Sequence, residues 1–466
     1  MDDLVLKAYK KLKSFAYYDK NAFYLKSAII DFEDETKDVD GYLKSIVADF
    51  DSGKNTDNQP EPVIMPKSVE CDKDSELSFN APRQFYIDKV QYYSSISVRD
   101  GVIAMMWSMA VGQRMDASLS DECYGNRIGV SYGSWSPHLF KPYPFQYSMW
   151  RDKGLEAAIR CSEEGNSCAF ISSDFSSFYY SLSLNDDIKK KIRAEFCNSD
   201  FDRKLTQAVF DFIDGYSVNF NESHPLPIGY PPSNILANYL LSNLDKAIHD
   251  KVLPVYYGRY VDDIILVVRC NPDDCVGSNP LKMLQTELEK SGLKIGIKSD
   301  KDGNLEDITV GLSGESDIEL TINNEKTRCE IIDKDYSASQ LKILKKNVDA
   351  NSSEFRYMPY EDIGCVNDHL SIFKESALNV YKPGEMGKAT VSRYGLSKYL
   401  GKCQMMLSLV KDDSRTKGFS KSLMRTLSDD VLLGNWSLWE RILQTCVING
   451  SPEDYVDVVK RLIKIV

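Results

Sequence analysis

Two adjacent carboxylates, Asp262 and Asp263, lie inside the stretch VYYGRYVDDIILVV (255–268), between an aromatic, β-branched run and a second apolar run. An ionised carboxylate in apolar surroundings is costly unless it is paired or bound to a metal. Asp-Asp also occurs at 2–3, 186–187, 273–274, 412–413 and 429–430, but there the flanks are polar or helix-edge sequence. A third acid of the same kind is Asp174, which ends the apolar run AFISSD (169–174). Acids brought together from strand ends can share two Mg²⁺ ions roughly 3.5–4 Å apart. Mg²⁺ takes hard oxygen ligands and leaves room for substrate phosphates. The chemistry that fits is in-line attack on a nucleotide phosphate. One metal lowers the pKa of the attacking hydroxyl, and both neutralise charge at phosphorus.

The pattern of apolar residues predicts the elements that hold these acids. Residues 255–268 read as a β-hairpin with the two aspartates at its tip, and 169–180 begins as a short strand. QFYIDKVQYYSSISV (84–98) reads as a strand, and 98–119 as a buried helix. LNDDIKKKIRAEF continues as a helix with Asn185 as its N-cap. PPSNILANYLLSNLDKAIHD (231–250) reads as an apolar-faced helix with Ser233 near its start, and 281–290 as a further helix after the loop 271–280. The first fifty residues are expected to be helical, with Leu4, Ala8, Leu12 and Ala16 on one face. From about 336 the texture changes to helix-like segments broken by polar or Gly/Pro turns, among them SQLKILKKNV, LSIFKESALNVY, GLSKYLGKCQMMLSLVKD and EDYVDVVKRLIKIV.

At 466 residues the chain can hold two or three domains or one composite one. Its hydrophobic content of 42% and charged content of 27% are those of an ordinary globular protein. No run of about 18 apolar residues is present, so no membrane partner is expected. The N-terminal residues lack an apolar signal core, and the eleven scattered cysteines form no C-x-x-C; reduced thiols and a cytoplasmic location are expected. The four histidines are too far apart in sequence to suggest a zinc site. A net charge of −12 weighs mildly against a nucleic-acid partner. The acidic stretches 31–40 and 299–307, however, read as solvated peripheral segments that leave room for a basic groove elsewhere.

The motifs SSDFSSFYYSL, LPIGYPPSNILANYLL, GRYVDD and INNEKT follow one another in the order of motifs A to D of the reverse transcriptases, over about 155 residues. The chain resembles that family. RYVDD with Arg259, YGNRI (124–128), PIG in place of PQG at 227–229, and the helical C-terminal segments narrow the resemblance to the bacterial abortive-infection and unknown-group enzymes of antiviral (antiphage) defence. The resemblance covers 1–335 by motif and the rest by class only. It implies an α+β fold: a right-hand, reverse-transcriptase-like domain over 1–335, with N-terminal helices, fingers and palm, followed by an all-α domain over 336–466. It further implies a nucleotidyltransferase, a DNA polymerase that is RNA-directed or works without a template. The partners it implies are deoxynucleoside triphosphates, a DNA product, a small non-coding RNA and, as a further expectation, a second copy of the chain. The cofactor is Mg²⁺, or Mn²⁺ in its place.

By the same resemblance, Asp174, Asp262 and Asp263 are the catalytic and metal-binding residues, with Asp263 in a supporting position. Tyr179, five residues after Asp174, matches the steric gate, a ring under the sugar that excludes a 2′-OH. Its alternative is one more core aromatic among 27 tyrosines. Lys326 matches the motif D lysine that approaches the triphosphate, Gly229 belongs to the nucleotide-binding motif B, and Arg127 either contacts phosphate or braces the fingers. Arg259 is expected to support the hairpin. Ile228 departs from the family's usual glutamine and cannot make that side chain's hydrogen bonds, so copying of a long template is not expected. A protein hydroxyl is then a candidate primer, with Tyr17, Tyr18 and Tyr24 as candidates beside the plainer reading that they pack the N-terminal helices. Two other readings stand beside the DNA polymerase: a catalytically silent palm that binds nucleic acid or a partner, and an RNA-directed RNA polymerase.

Overall fold

The structure, a computed structural model, describes residues 2–19, 22–52, 60–71, 85–129, 136–220, 224–275, 279–299, 303, 305–312, 318–334, 396–397, 399–401, 403–404, 407, 423–424, 427, 429–448 and 452–465. The chain divides into two compact units, one of residues 1–63 and 92–351 and one of residues 64–91 and 352–466.

The N-terminal segment of the larger unit forms three helices, α1 (Asp2–Tyr18), α2 (Phe23–Glu35) and α3 (Val39–Asp51). Val5, Ala8, Leu12 and Ala16 recur at helical spacing on α1 and are buried. β1 (Pro62–Cys71) and β2 (Phe85–Ser94) pair as a two-stranded sheet. The helix expected over 98–119 exists in three pieces: α4 (Val98–Trp107), a π turn at Ser108–Gly112, and α5 (Gln113–Ala117). Ser97 starts α4 by accepting the Asp100 amide. α4 is buried along most of its length and takes Leu12 of α1 against Gly101, where a Cβ would stand 2.7 Å from Leu12 Cδ2.

α6 (Tyr143–Glu163) leads into β3 (Cys168–Ser176), then the short α7 (Phe178–Ser181), α8 (Asp186–Phe196) and α9 (Asp200–Ser217). Asn185 caps α8 as its sequence predicts, with the Ile188 amide donating to its side chain at 2.9 Å. The apolar helix expected over 231–250 is α10 (Pro231–Leu240), α11 (Ser242–Ala247) and a π turn at Ile248–Val252. Prolines occupy the first two positions of α10 behind Tyr230. Ser233 therefore lies inside the helix, its hydroxyl buried without a hydrogen-bond partner among the described residues. β4 (Tyr256–Tyr260) and β5 (Asp263–Arg269) form the expected hairpin, followed by α12 (Pro272–Cys275) and α13 (Pro280–Lys290). Then come β6 (Lys294–Ser299), β7 (Leu305–Gly311), β8 (Glu319–Asn323), a 3₁₀ turn at Asn324–Lys326 and β9 (Arg328–Ile332).

β3 to β9 make one seven-stranded sheet in the order β4-β5-β3-β8-β7-β6, with β9 also on β3. β5 and β9 flank the first part of β3, and β8 takes over at Phe175 and Ser176. The acidic stretch 299–307 is only partly the solvated segment its composition suggests. Leu305 to Asp307 belong to β7, and Asp307 is buried, held by Asn323 and Lys298.

The described residues of the smaller unit from 396 on have their own core, built on Leu396, Leu400, Cys403, Leu427, Leu438, Ile442 and Leu462. It includes α14 (Asp429–Gly434), α15 (Trp439–Ile448) and α16 (Pro452–Ile465). The helix-like segments 339–348 and 370–381 lie outside the described residues.

Candidate active site

The two acid-bearing segments meet by strand pairing. β3 and β5 are antiparallel, with Asp174 directly opposite Asp263. The pairing continues past Asp263, because the Phe175 amide donates to the Asp262 carbonyl at 3.0 Å. Side chains alternate across a strand. Asp263 therefore shares its face with Ile265 and Val267, and Asp174 shares its face with Cys168; those residues pack with Trp150 and Ala158 of α6. Both carboxylates open on the side of the sheet that carries α6. There the ring of Tyr260, the last residue of β4, sits among Tyr143, Tyr147 and Trp150 at 5.5, 5.3 and 5.8 Å.

Burial, and after it crowding of like charge, sets the electrostatics. Burial, with Asp262 and Asp174 beside it, pushes the Asp263 carboxyl up to about 7, against the opposing pull of Lys326. Lys326 comes from the turn before β9 and its Nζ lies 2.5 Å from Asp174 Oδ2. The turn is fixed from below: the Thr327 hydroxyl donates to the Asn323 carbonyl at 2.9 Å and meets the buried Ser173 hydroxyl at 2.8 Å. Among the described residues no three carboxylate, imidazole or thiolate groups converge as a ready-made metal cage.

Tyr260 pairs with Asp263, so the hairpin turns through only two residues, Val261 and Asp262. Val261 has φ +58°. Beneath the turn, Arg259 is fully buried. Its Nε and Nη2 donate to the two oxygens of Asp245 at 2.8 and 2.7 Å, and its Nη1 donates to Asn238 Oδ1 and to the Val261 carbonyl, both at 2.9 Å. Tyr257 adds a 2.7 Å bond to Asp245. Support of the hairpin is what the sequence led one to expect of Arg259.

Residues 136–301 match the reverse transcriptase (RNA-dependent DNA polymerase) family. The match takes in all three aspartates, Tyr179, Gly229 and the hairpin, and ends before Lys326. The chain is also 25% identical over 129 residues to the Retron Ec73 reverse transcriptase of Escherichia coli, an alignment covering 26% of this chain and 39% of that protein. The chain thus spans about two fifths of the length of this curated relative.

Within the larger unit, α10 links the two halves of the site. Tyr179, half-buried on α7, donates to Asn234 Oδ1 at 2.6 Å; one turn on, Asn238 holds Arg259 and donates to the Gly125 carbonyl at 2.8 Å. Burial and the nearby Asp262 hold the Tyr179 phenol well above its ordinary range. Gly229 has φ +84°, and a Cβ there would stand 3.1 Å from Tyr93 Cδ1. Ile228 is buried, and its carbonyl accepts from the amide and hydroxyl of Ser94.

Arg127 lies before the matched residues and is spent on its own loop. It donates to Asp116 Oδ1 and to the carbonyls of Asp116, Ser120 and Cys123. Tyr17 and Tyr24 are exposed on the N-terminal helices, and the side chain of Tyr18 lies outside the described residues. No helix among the described residues is long and apolar enough to cross a membrane.

Sequence reasoning passed over Asp245, Asn238, Asn234 and Gly125. A signal for three of them was present: Asn234, Asn238 and Asp245 sit four and seven residues apart along a largely apolar segment, the spacing of one helical face.

Proposed function

We propose that this protein is a Mg²⁺-dependent nucleotidyltransferase, a DNA polymerase of the reverse transcriptase family that acts in bacterial antiphage defence with restricted or non-standard templating. The observation that carries the polymerase reading is the cross-strand pair Asp174–Asp263 with Asp262 at the adjoining turn, inside a segment that matches reverse transcriptases. The defence role is supported by the resemblance of RYVDD and YGNRI to the abortive-infection and unknown-group enzymes.

The donor set suits Mg²⁺, which is held in such sites by one or two carboxylates together with substrate phosphates and not by an all-protein cage. The unfavourable charge gathered at Asp263 is what a divalent cation would relieve. Asp174 and Asp262 would hold the metals, with Asp263 beside them. When bound, the ions supply charge neutralisation at phosphorus and a more acidic attacking hydroxyl. The chain's own residues bind and orient. Lys326, which rests on Asp174, would move to the triphosphate of an incoming nucleotide. Tyr179, its hydroxyl tied to Asn234, would set its ring against the sugar. Deoxynucleoside triphosphates are the substrates, DNA the product and a small RNA the candidate template.

The test is extension by the purified protein with each deoxynucleotide and each ribonucleotide, with Asp262→Asn as the matched control. Deoxynucleotide incorporation that falls roughly a thousandfold in the control is the expected result. Ribonucleotide incorporation alone would indicate an RNA polymerase, and incorporation that survives Asp262→Asn would remove the assignment. No incorporation by either protein would indicate a palm that only binds.

A further inference from the structure

We infer that Arg259, Asp245 and Gly125 form a clamp that holds the tip of the acidic hairpin in a left-handed conformation unfavourable for valine, and that this conformation aims Asp262 into the site. This rests on the reading of Asp262 as a metal-holding carboxylate. Three independent features of the fold converge on the one residue between Tyr260 and Asp262.

The first is conformational. A two-residue hairpin loop with positive φ at its first position is the place for glycine. Here it is Val261, at φ +58°. A β-branched side chain is a strong outlier in that region and leaves it unless the surroundings over-determine it.

The second is the restraint from below. Arg259 Nη1 donates to the Val261 carbonyl, so the peptide that follows Val261, and leads directly into Asp262, is held by a fully buried guanidinium. Its other bonds go to both oxygens of Asp245, to Asn238 and to Cys123 Sγ, all buried. A guanidinium presents its donors in a rigid fork that no lysine reproduces.

The third is the restraint from the side. The segment 122–125 runs along β4, with Arg259 N donating to the Glu122 carbonyl and Tyr124 N donating to the Arg259 carbonyl, both at 2.8 Å. This brings Gly125 under the turn so closely that a Cβ would stand 2.6 Å from Val261 N and from Val261 Cγ2. The glycine of YGNR is thus explained by the tip that rests on it. Asn238 closes the loop, accepting from Arg259 and donating to Gly125.

The experiment is Mn²⁺ binding to the full chain, read from the free-ion electron paramagnetic resonance signal, beside urea unfolding of the same samples. Arg259→Lys is expected to weaken the Asp262-dependent Mn²⁺ affinity about tenfold, since valine then leaves the left-handed region. Val261→Gly alone should stay within about threefold of wild type, and Arg259→Lys in the Val261→Gly chain should lose less than about threefold, because glycine has no conformational reason to leave. A merely structural role would lower the urea midpoint equally in both backgrounds and show no such rescue. Equal affinity loss in both, or unchanged affinity in Arg259→Lys, overturns the clamp. If Arg259→Lys fails to fold, Gly125→Ala decides: it should also lower Mn²⁺ affinity about tenfold by displacing the Val261 backbone, and wild-type affinity overturns the proposal. Wild-type protein whose Mn²⁺ binding is indifferent to Asp262→Asn would overturn the metal assignment itself, a separate outcome.

Discussion

Asp263, with its carboxyl near 7, changes charge in the neutral pH range. An unfolded aspartate titrates near 3.9, so between about pH 4 and pH 7 the folded chain binds the extra proton. Stability then falls as pH rises through that window, because the unfolded state holds fewer protons there. With metal chelated, the urea midpoint should therefore contain a contribution that is present at pH 4 and lost by pH 8, and Asp263→Asn should remove it. Mg²⁺ should raise the midpoint more at pH 8 than at pH 5.5, where a proton competes for the carboxylate. An effect of Mg²⁺ that is the same at both pH values would contradict this. At Tyr179 the reading is of sugar choice. Tyr179→Ala should raise ribonucleotide use relative to deoxyribonucleotide use by about tenfold or more, measured as a ratio of kcat/KM values. Tyr179→Phe, which loses only the bond to Asn234, should leave that ratio nearly unchanged, since the ring and not the hydroxyl would block the 2′ position.

At the scale of elements, the segment 227–230 leading into α10 depends on Gly229. Both its φ of +84° and the 3.1 Å approach of Tyr93 argue against any side chain. Gly229→Ala should cost about 1–2 kcal/mol of unfolding free energy, and a urea midpoint equal to wild type would show that the turn adapts. The hairpin, the strand before Asp174 and the Asn185 cap were legible in the sequence because each is a local pattern: a short apolar run, a break, and a residue whose side chain serves its own neighbours. The three aspartates were legible for the same reason, as acids set into apolar runs. α6 and β6 to β9 were not. β6 alternates lysine with small or apolar residues, KIGIKS, on an outer strand whose side chains are largely solvated, so its pattern resembles loop. Asp307 looks like one acid of an acidic stretch until Asn323 and Lys298 reach it across the sheet. The partnership of Asp245 with Arg259 joins a helix to a strand 14 residues on, and a single sequence does not display pairings made by folding.

At the scale of the molecule, a net charge of −12 gives no broad electrostatic hold on a long duplex, and Ile228 is buried with its carbonyl bonded to Ser94. Both agree with limited copying. The product expected from the purified protein is DNA of restricted composition, made without a template or from one short RNA, with its first nucleotide on a tyrosine, serine or threonine of the chain. Protease and nuclease digestion followed by mass spectrometry checks the linkage, and sequencing checks the composition. Tyr17 and Tyr24 are exposed, which a primer requires and which also suits an ordinary surface ring. Faithful copies of arbitrary added RNA with no protein-linked nucleotide would mark an ordinary templated enzyme.

β3 obtains its neighbours from far downstream: β5 ends at Arg269, β8 at Asn323 and β9 at Ile332. During synthesis Asp174 therefore precedes the last of them by 332 − 174 = 158 residues. At roughly 5–20 residues per second this is a wait of about 8–30 s. The nascent strand carries unpaired edges throughout that interval, while α1 to α4 already have local partners in one another. Chains released before residue 332 would expose the acidic strand without completing its sheet. Ribosome-bound intermediates of stepwise length should accordingly gain protease resistance at β3 only after β9 has emerged, and the candidate site is among the last parts of the larger unit to come into being.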